Sequence, residues 1–151
     1  MHPYRNFLLM ISTGSALMFG LMYLNSYQPS HVWFSQTRLF MTCIMAGAMA
    51  LVMFAFMRHM YRDRRANLAI VVGSIALLGL GLALVRSQAT VGDVAWMKAM
   101  IPHHSIAVLT SERARLRDPR VRRLADDIIR TQQREIAQME ALIAELDHQR
   151  E

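Results

Sequence analysis

Three stretches of the chain, 7–24, 39–57 and 68–85, contain no acidic or basic side chain. Each approaches the ~20 apolar residues that a helix needs to cross a bilayer core of ~30 Å. A backbone that leaves water must satisfy its own N–H and C=O groups, which a helix does within one segment. The expectation is therefore an all-α protein whose residues 1–86 form a three-span transmembrane region. The first stretch follows Arg5, as a secretory signal would. However, LMYLNSYQ lacks a small-x-small cleavage pattern and two further apolar stretches follow, so it reads as a retained span.

The formal net charge of +6 lies entirely in this region, where Arg5, Arg38, Arg58, Arg62, Arg64, Arg65 and Arg86 face Asp63 alone. Basic groups flanking apolar runs act as a topology signal, not as a nucleic-acid footprint. RHMYRDRRAN, between the second and third stretches, is the densest basic segment near the membrane. NSYQPSHVWFSQT, between the first and second, has no formal charge and offers Tyr27, Trp33 and Phe34 to an interface. The positive-inside rule then puts the arginine-rich loop and the N-terminus in the cytoplasm. The tail falls outside, in the periplasm if the membrane is a bacterial inner membrane. A lone cysteine, Cys43, excludes an intrachain disulfide and is silent about redox compartment.

Small residues recur at four-residue spacing: Ser12, Ala16 and Gly20, then Ala46 and Ala50, then Ala69 and Gly73. Such spacing lets helix backbones approach closely. Met41, Met45, Met49, Met53 and Met57 also recur every fourth residue. A row at that spacing drifts ~40° per step around a helix, so it wraps the helix and suits flexible packing better than a metal-conducting wall.

Beyond Ser87 the pattern changes to two amphipathic helices, giving a second domain over 87–151. The first starts after Thr90 or Asp93 and runs to about Arg115, and Pro102 either kinks it or opens a fresh segment. The second has Asp118 as cap and Pro119 at its first position, and runs to about Leu146. Val121, Leu124, Ala125, Ile128, Ile136, Met139, Leu142, Ile143 and Leu146 form its apolar stripe. The short connection makes the two an antiparallel hairpin. Two helices bury little surface alone, so a homo-oligomer that completes a four-helix bundle is expected. Arg122 with Asp126, Arg123 with Asp127 and Asp126 with Arg130 have i, i+4 spacing, so the arginine run reads as a self-paired solvated face.

WMKAMIPHHS is the candidate site. On a continuous helix Met97, Met100, His103 or His104, and Ala107 share one side. Thioether and imidazole suit copper, Cu(I) above all, better than magnesium or calcium. The second helix breaks its stripe at Gln132 and Glu135 and resumes at Met139, and a polar break in a seam needs partners. The plainer reading has Met100 and Met139 as core filler, His103 as a backbone cap and Glu135 bonded to one histidine. Glu145 and His148 match the Glu-x-x-His spacing of di-iron bundles, but as one copy near the terminus, without inward carboxylates opposite.

WMKAMIPHHSIAVLTSERA, followed by DPRVRRLADDIIRTQQREIAQMEALI, closely resembles the ferritin-like family called domain of unknown function 305. The resemblance covers about residues 90–146 and implies a helical-bundle fold, often secreted or periplasmic, with members linked to copper binding and copper tolerance. The preceding spans look like the membrane-anchored branch of that family. Position by position, the resemblance implies Met97, Met100, His103, His104, Glu135 and Met139 as metal residues. Thr110 stands where the family usually has a further methionine.

Two functions follow as expectations. One is a membrane-anchored periplasmic protein that buffers or delivers copper, with copper-handling or respiratory membrane proteins as partners. The other is a non-catalytic structural subunit whose hairpin docks or oligomerises. No activated nucleophile or carboxylate pair points to an enzyme.

Overall fold

The structure, a computed structural model, describes residues 2–149 and contains five α-helices and no strand among them. They are α1 His2–Leu21, α2 Gln36–Met57, α3 Arg64–Ser87, α4 Asp93–Arg113 and α5 Pro119–His148. Single 3-10 turns lie at Pro29–His31 and Arg58–Met60. The described residues are thus all-helical, as expected.

The chain divides into two compact units that do not follow chain order. One comprises the residues up to Met22 together with Thr37–Thr90, and the other Tyr23–Gln36 together with the residues from Val91 onward. The expected tail over 87–151 is thus joined by a segment from between the first two apolar stretches. Residues 22–24, expected to continue the first span, are outside α1, which ends at Leu21.

In the first unit, α2 with its following turn (Gln36–Met60) and α3 are long and apolar enough to cross a membrane. Among the described residues α1 is not a third such helix. Its start, HPYRN, is polar and carries Arg5, which leaves a shorter apolar part. Asp63 caps α3, accepting from the backbone N–H of Arg65 at 2.8 Å and of Ala66 at 3.2 Å. Gln88 ends α3 in the left-handed region (φ 52°) and its backbone N–H bonds to Leu84 O at 2.9 Å.

The close approach of α2 and α3 occurs at glycines outside the expected spacing. A Cβ at Gly47 would lie 2.7 Å from Ser74 O, and one at Gly81 would lie 3.0 Å from Phe40 O. Gly20 and Gly73, which fit the four-residue pattern, have nothing within 4 Å of that position. Ala46 and Ala50 are buried as that pattern implies. Met53 and Met57 pack with Ile70 against buried Phe7, Ala50 and Tyr61, which is a packing role for that part of the methionine row.

In the second unit α4 and α5 pack along each other with partners in opposite chain order. Lys98 Nζ lies 3.6 Å from Asp147 Oδ2, and His104 Nε2 lies 2.8 Å from Glu135 Oε2. Met97, Ile101, Ile136, Met139 and Ile143 form the buried core between them. Helix α4 is continuous through Pro102, so the proline lies inside one helix and opens no new segment. Asp118 caps α5 as expected, accepting from Arg120 N–H at 2.8 Å. Part of the expected α5 stripe is not covered: Val121 is 45% exposed, Leu124 59% and Leu142 41%. Of the expected ion pairs Arg122–Asp126 forms at 2.7 Å, but Arg130 turns to Asp127, one i, i+3 step away, and leaves Asp126 to Arg122.

Gly47→Leu is expected to separate α2 from α3 and destabilise the first unit by about 1–3 kcal/mol, the range of overpacked cores. Gly73→Ala meets open space and is expected to be neutral or up to ~1 kcal/mol stabilising. Thermal unfolding of the two variants in detergent distinguishes the positions.

Candidate functional site

Helix α4 has two working faces. Met97, Ile101, His104 and Val108 recur at steps of four, three and four, and all are buried. This is the side that packs on α5. Lys98, Ser105 and Glu112 recur every seventh residue and form a second side about 100° away. That side is met by Tyr23–Gln36, which crosses it in the opposite chain direction. Trp33 packs against the α4–α5 core, and Lys98 Nζ lies 5.4 Å from its ring centre. Ser105, with no exposed surface, accepts from Tyr27 N–H at 2.6 Å. Its Oγ also lies 3.0 Å from His31 Nδ1. A hydroxyl offers one proton and two lone pairs, so Ser105 can accept from Tyr27 and donate to a neutral His31. The Tyr27 phenol bonds to Glu112, and that hydrogen bond together with the carboxylate's charge holds the phenol above its ordinary ionisation range.

The expected site residues divide into three groups. Met97 and Met139 are buried in the core between α4 and α5, and Met100 is partly buried against it. His104 and Glu135 form a pair on the same seam. His103 is exposed, its ring centre 6.2 Å from that of His104, because its position falls on neither face of α4. Thr110 is exposed too, with its hydroxyl donating to Ile106 O at 2.9 Å, so it turns back on its own helix. Glu145 and His148 are exposed near the end of α5. Among the described residues no three His, Cys, Asp or Glu side chains come together in a way that could hold a metal.

The orientation of His104 is fixed at both nitrogens. Nδ1 lies 3.0 Å from Met100 O, which can only accept, so Nδ1 carries a proton. Nε2 is left to face Glu135 Oε2 at 2.8 Å. At 2.8 Å from a carboxylate oxygen Nε2 shares a proton with Glu135, and only once that proton leaves is the Nε2 lone pair open towards α5. Metal-bound histidines are commonly held this way, with the other ring N–H given to a carbonyl or carboxylate. The residues fit a soft cation in donor type: three thioethers and one oriented imidazole come from two facing helices. Glu135 is its competitor for Nε2.

Sequence reasoning missed Tyr27, His31, Trp33 and Ser105. Composition offers Tyr27, Trp33 and Phe34 to a membrane interface, and in the structure Tyr27 and Trp33 are half-buried while Phe34 is exposed. The available signal was a loop without charges that holds a histidine and three aromatics, facing a buried serine whose position could not be read locally.

The domain of unknown function DUF305 matches residues 83–151, the end of α3 together with α4 and α5. A relative, "Uncharacterized protein L153" of Acanthamoeba polyphaga mimivirus, is 32% identical over 108 residues, covering 70% of this chain and 69% of that protein. The chain belongs to the DUF305 family. The 108 matched residues exceed the span 83–151, so the likeness to the viral protein reaches beyond the DUF305 domain into the preceding apolar helices. No solved structure matches the chain.

Ser105→Ala leaves Tyr27 N–H and His31 Nδ1 without their buried partner and is expected to cost about 1–3 kcal/mol. Amide exchange should rise first within 23–36. The Tyr27–Glu112 bond contributes below the ordinary tyrosine range and is lost as pH rises through the raised folded-state value. Protection of the same segment is therefore expected to hold at pH 8 and fall in strong alkali, and Tyr27→Phe should remove that alkaline step.

Proposed function

We propose that this DUF305 protein is a membrane-anchored, extracytoplasmic copper-binding protein that buffers or delivers Cu(I). Its α4–α5 pair acts as a ferritin-like half-bundle, and in a bacterial cell it lies in the periplasm. The helices of the first unit serve as three spans. For α1 the support is the retained-span reading of its apolar part, and for α2 and α3 it is length and composition. The concentration of arginines in the α2–α3 connection supports a cytoplasmic position for that loop.

The observation that carries the metal reading is the pose of His104, with Nδ1–H on Met100 O and Nε2 directed at α5 beside a core containing Met97 and Met139. Bound Cu(I) would take Nε2 in place of Glu135, with sulfur from Met97, Met100 and Met139. Copper itself supplies no reaction here, since the role is binding and transfer. His103, being exposed, is suited to a first encounter with the ion and not to the enclosed set. Copper-handling or respiratory membrane proteins are the corresponding donors or acceptors.

A second reading has a specific observation in its favour. Val121, Leu124 and Leu142 leave apolar surface on α5, which suits a docking or self-association subunit whose methionines are packing alone.

The deciding experiment is a Cu(I) competition titration of the full chain in detergent, because the tail over 87–151 lacks the segment that covers α4. One bound ion is expected, weakened at least ~10-fold by His104→Ala and by Met97→Leu/Met139→Leu, on the scale of ligand-sphere losses. His103→Ala should change capture rate more than equilibrium affinity. Weak binding of undefined stoichiometry, indifferent to both changes, would leave the docking reading standing.

A further inference from the structure

The first unit holds an apolar groove of about 420 Å³ bounded by α1, α2 and α3. That size is within the ~300–1,000 Å³ of ligand pockets. Tyr4 and Phe7 of α1, Ala50 of α2, and Ala66, Ala69 and Gly73 of α3 line it, and no lining residue is charged. Its depth comes from small side chains on α3: a Cβ at Gly73 would meet nothing within 4 Å. Protein interiors leave few voids of this size, because unfilled space forfeits dispersion contacts. In a bilayer the neighbouring apolar material is the acyl chain.

One end of the groove is strongly basic. Tyr4, at the groove's edge, accepts from Asp63 N–H at 3.0 Å and lies 2.9 Å from Asn67 Oδ1, which ties the start of α1 to the α2–α3 connection. That connection and the first turn of α3 carry Arg58, Arg62, Arg64 and Arg65, all exposed, and Arg5 lies one residue beyond Tyr4. The acidic residue among them, Asp63, is engaged as the α3 cap. Beneath them Tyr61, packed with Tyr4, Phe7 and Phe54 at ring separations of 5.0 to 5.7 Å, gives the connection a fixed base. Guanidinium groups pair with phosphate through two parallel hydrogen bonds and remain charged at any physiological pH.

We propose that this groove binds an anionic glycerophospholipid, with an acyl chain along α3 from Ala66 to Gly73 and the headgroup phosphate on the arginines of the α2–α3 connection. The charge pattern selects the ligand: an apolar trough alone takes any lipid, whereas a cationic end beside it favours a headgroup with net negative charge. The inference rests on the membrane reading above and is independent of the copper reading.

The test is native mass spectrometry of the full chain in detergent, titrated with phosphatidylglycerol or with phosphatidylcholine of the same acyl chains. Inorganic phosphate is run in parallel. Phosphatidylglycerol is expected to bind at least five-fold tighter than phosphatidylcholine. Arg62→Gln/Arg64→Gln/Arg65→Gln should abolish that preference. Gly73→Leu should weaken both lipids while preserving helicity, because it fills the groove without touching the backbone packing. Equal binding of the two lipids overturns the proposal, as does competition by inorganic phosphate that is unaffected by Gly73→Leu. A dimer that Gly73→Leu breaks irrespective of lipid also overturns it, because a second copy would then be the occupant. Alkaline carbonate extraction separates the two levels: release into the supernatant removes the membrane reading, whereas retention with equal lipid binding removes only this inference.

Discussion

Ser105 has no access to solvent, yet its hydroxyl has two partners, 78 and 74 residues earlier in the chain. A buried hydroxyl without partners is costly, and a buried backbone N–H equally so. Each therefore fixes the other, and the segment Tyr23–Gln36 must lie on α4 in one register for both to be met. In the same register Trp33 packs against the α4–α5 core. The helix pair that the DUF305 domain contributes is thus covered on one side by its own chain.

This arrangement changes what a pair of helices needs in order to be stable. Two helices alone leave too much apolar surface in water, which is the argument for a second copy. Here α4 lies between α5 and Tyr23–Gln36, and apolar exposure remains at Trp96 of α4, at Val32 and Phe34 of the covering segment, and at Val121, Leu124 and Leu142 of α5. The enclosure also restricts His104. With α4 held on two sides, its imidazole has little freedom beyond the pose set by Met100 O and Glu135.

Local patterning made much of this legible. Uncharged runs place α2 and α3, and Asp118-Pro119 places the start of α5, whereas the spacing of Met97, Met100 and His103 or His104 leaves open which histidine faces the seam. What escaped was set by distant pairing. Gly47 and Gly81 are the close contacts of α2 and α3, but neither belongs to a small-x-x-x-small repeat of the kind sought, because the helix crossing selects them and the sequence of one helix does not. His103 and His104 are equivalent in a linear motif, yet a 100° step around α4 leaves one in solvent and the other in the seam. Tyr27 and Trp33 have the composition of a membrane interface, and their packing against α4 and its core is set by distant partners that no local pattern shows.

The weight of the metal reading rests on imidazole more than on sulfur. Thirteen methionines occur in the chain, and Met53 and Met57 pack against an aromatic cluster without any imidazole in it. Methionine in a core is adaptable filler, and three thioethers between α4 and α5 are consistent with the same use. His104 differs from such filler in that its Nδ1 is given to a carbonyl of its own helix and its Nε2 is aimed across the seam at a carboxylate. A leucine there would complete the Met97, Ile101 and Val108 stripe at lower desolvation cost. Two partners are needed to make the ring tolerable in that position, and one of them, Glu135, has a half-exposed side chain and can be displaced without burying a charge. It is this nitrogen, in a seam where an apolar side chain would pack, on which the proposed copper reading rests. The sulfurs beside it determine which ion that nitrogen would favour.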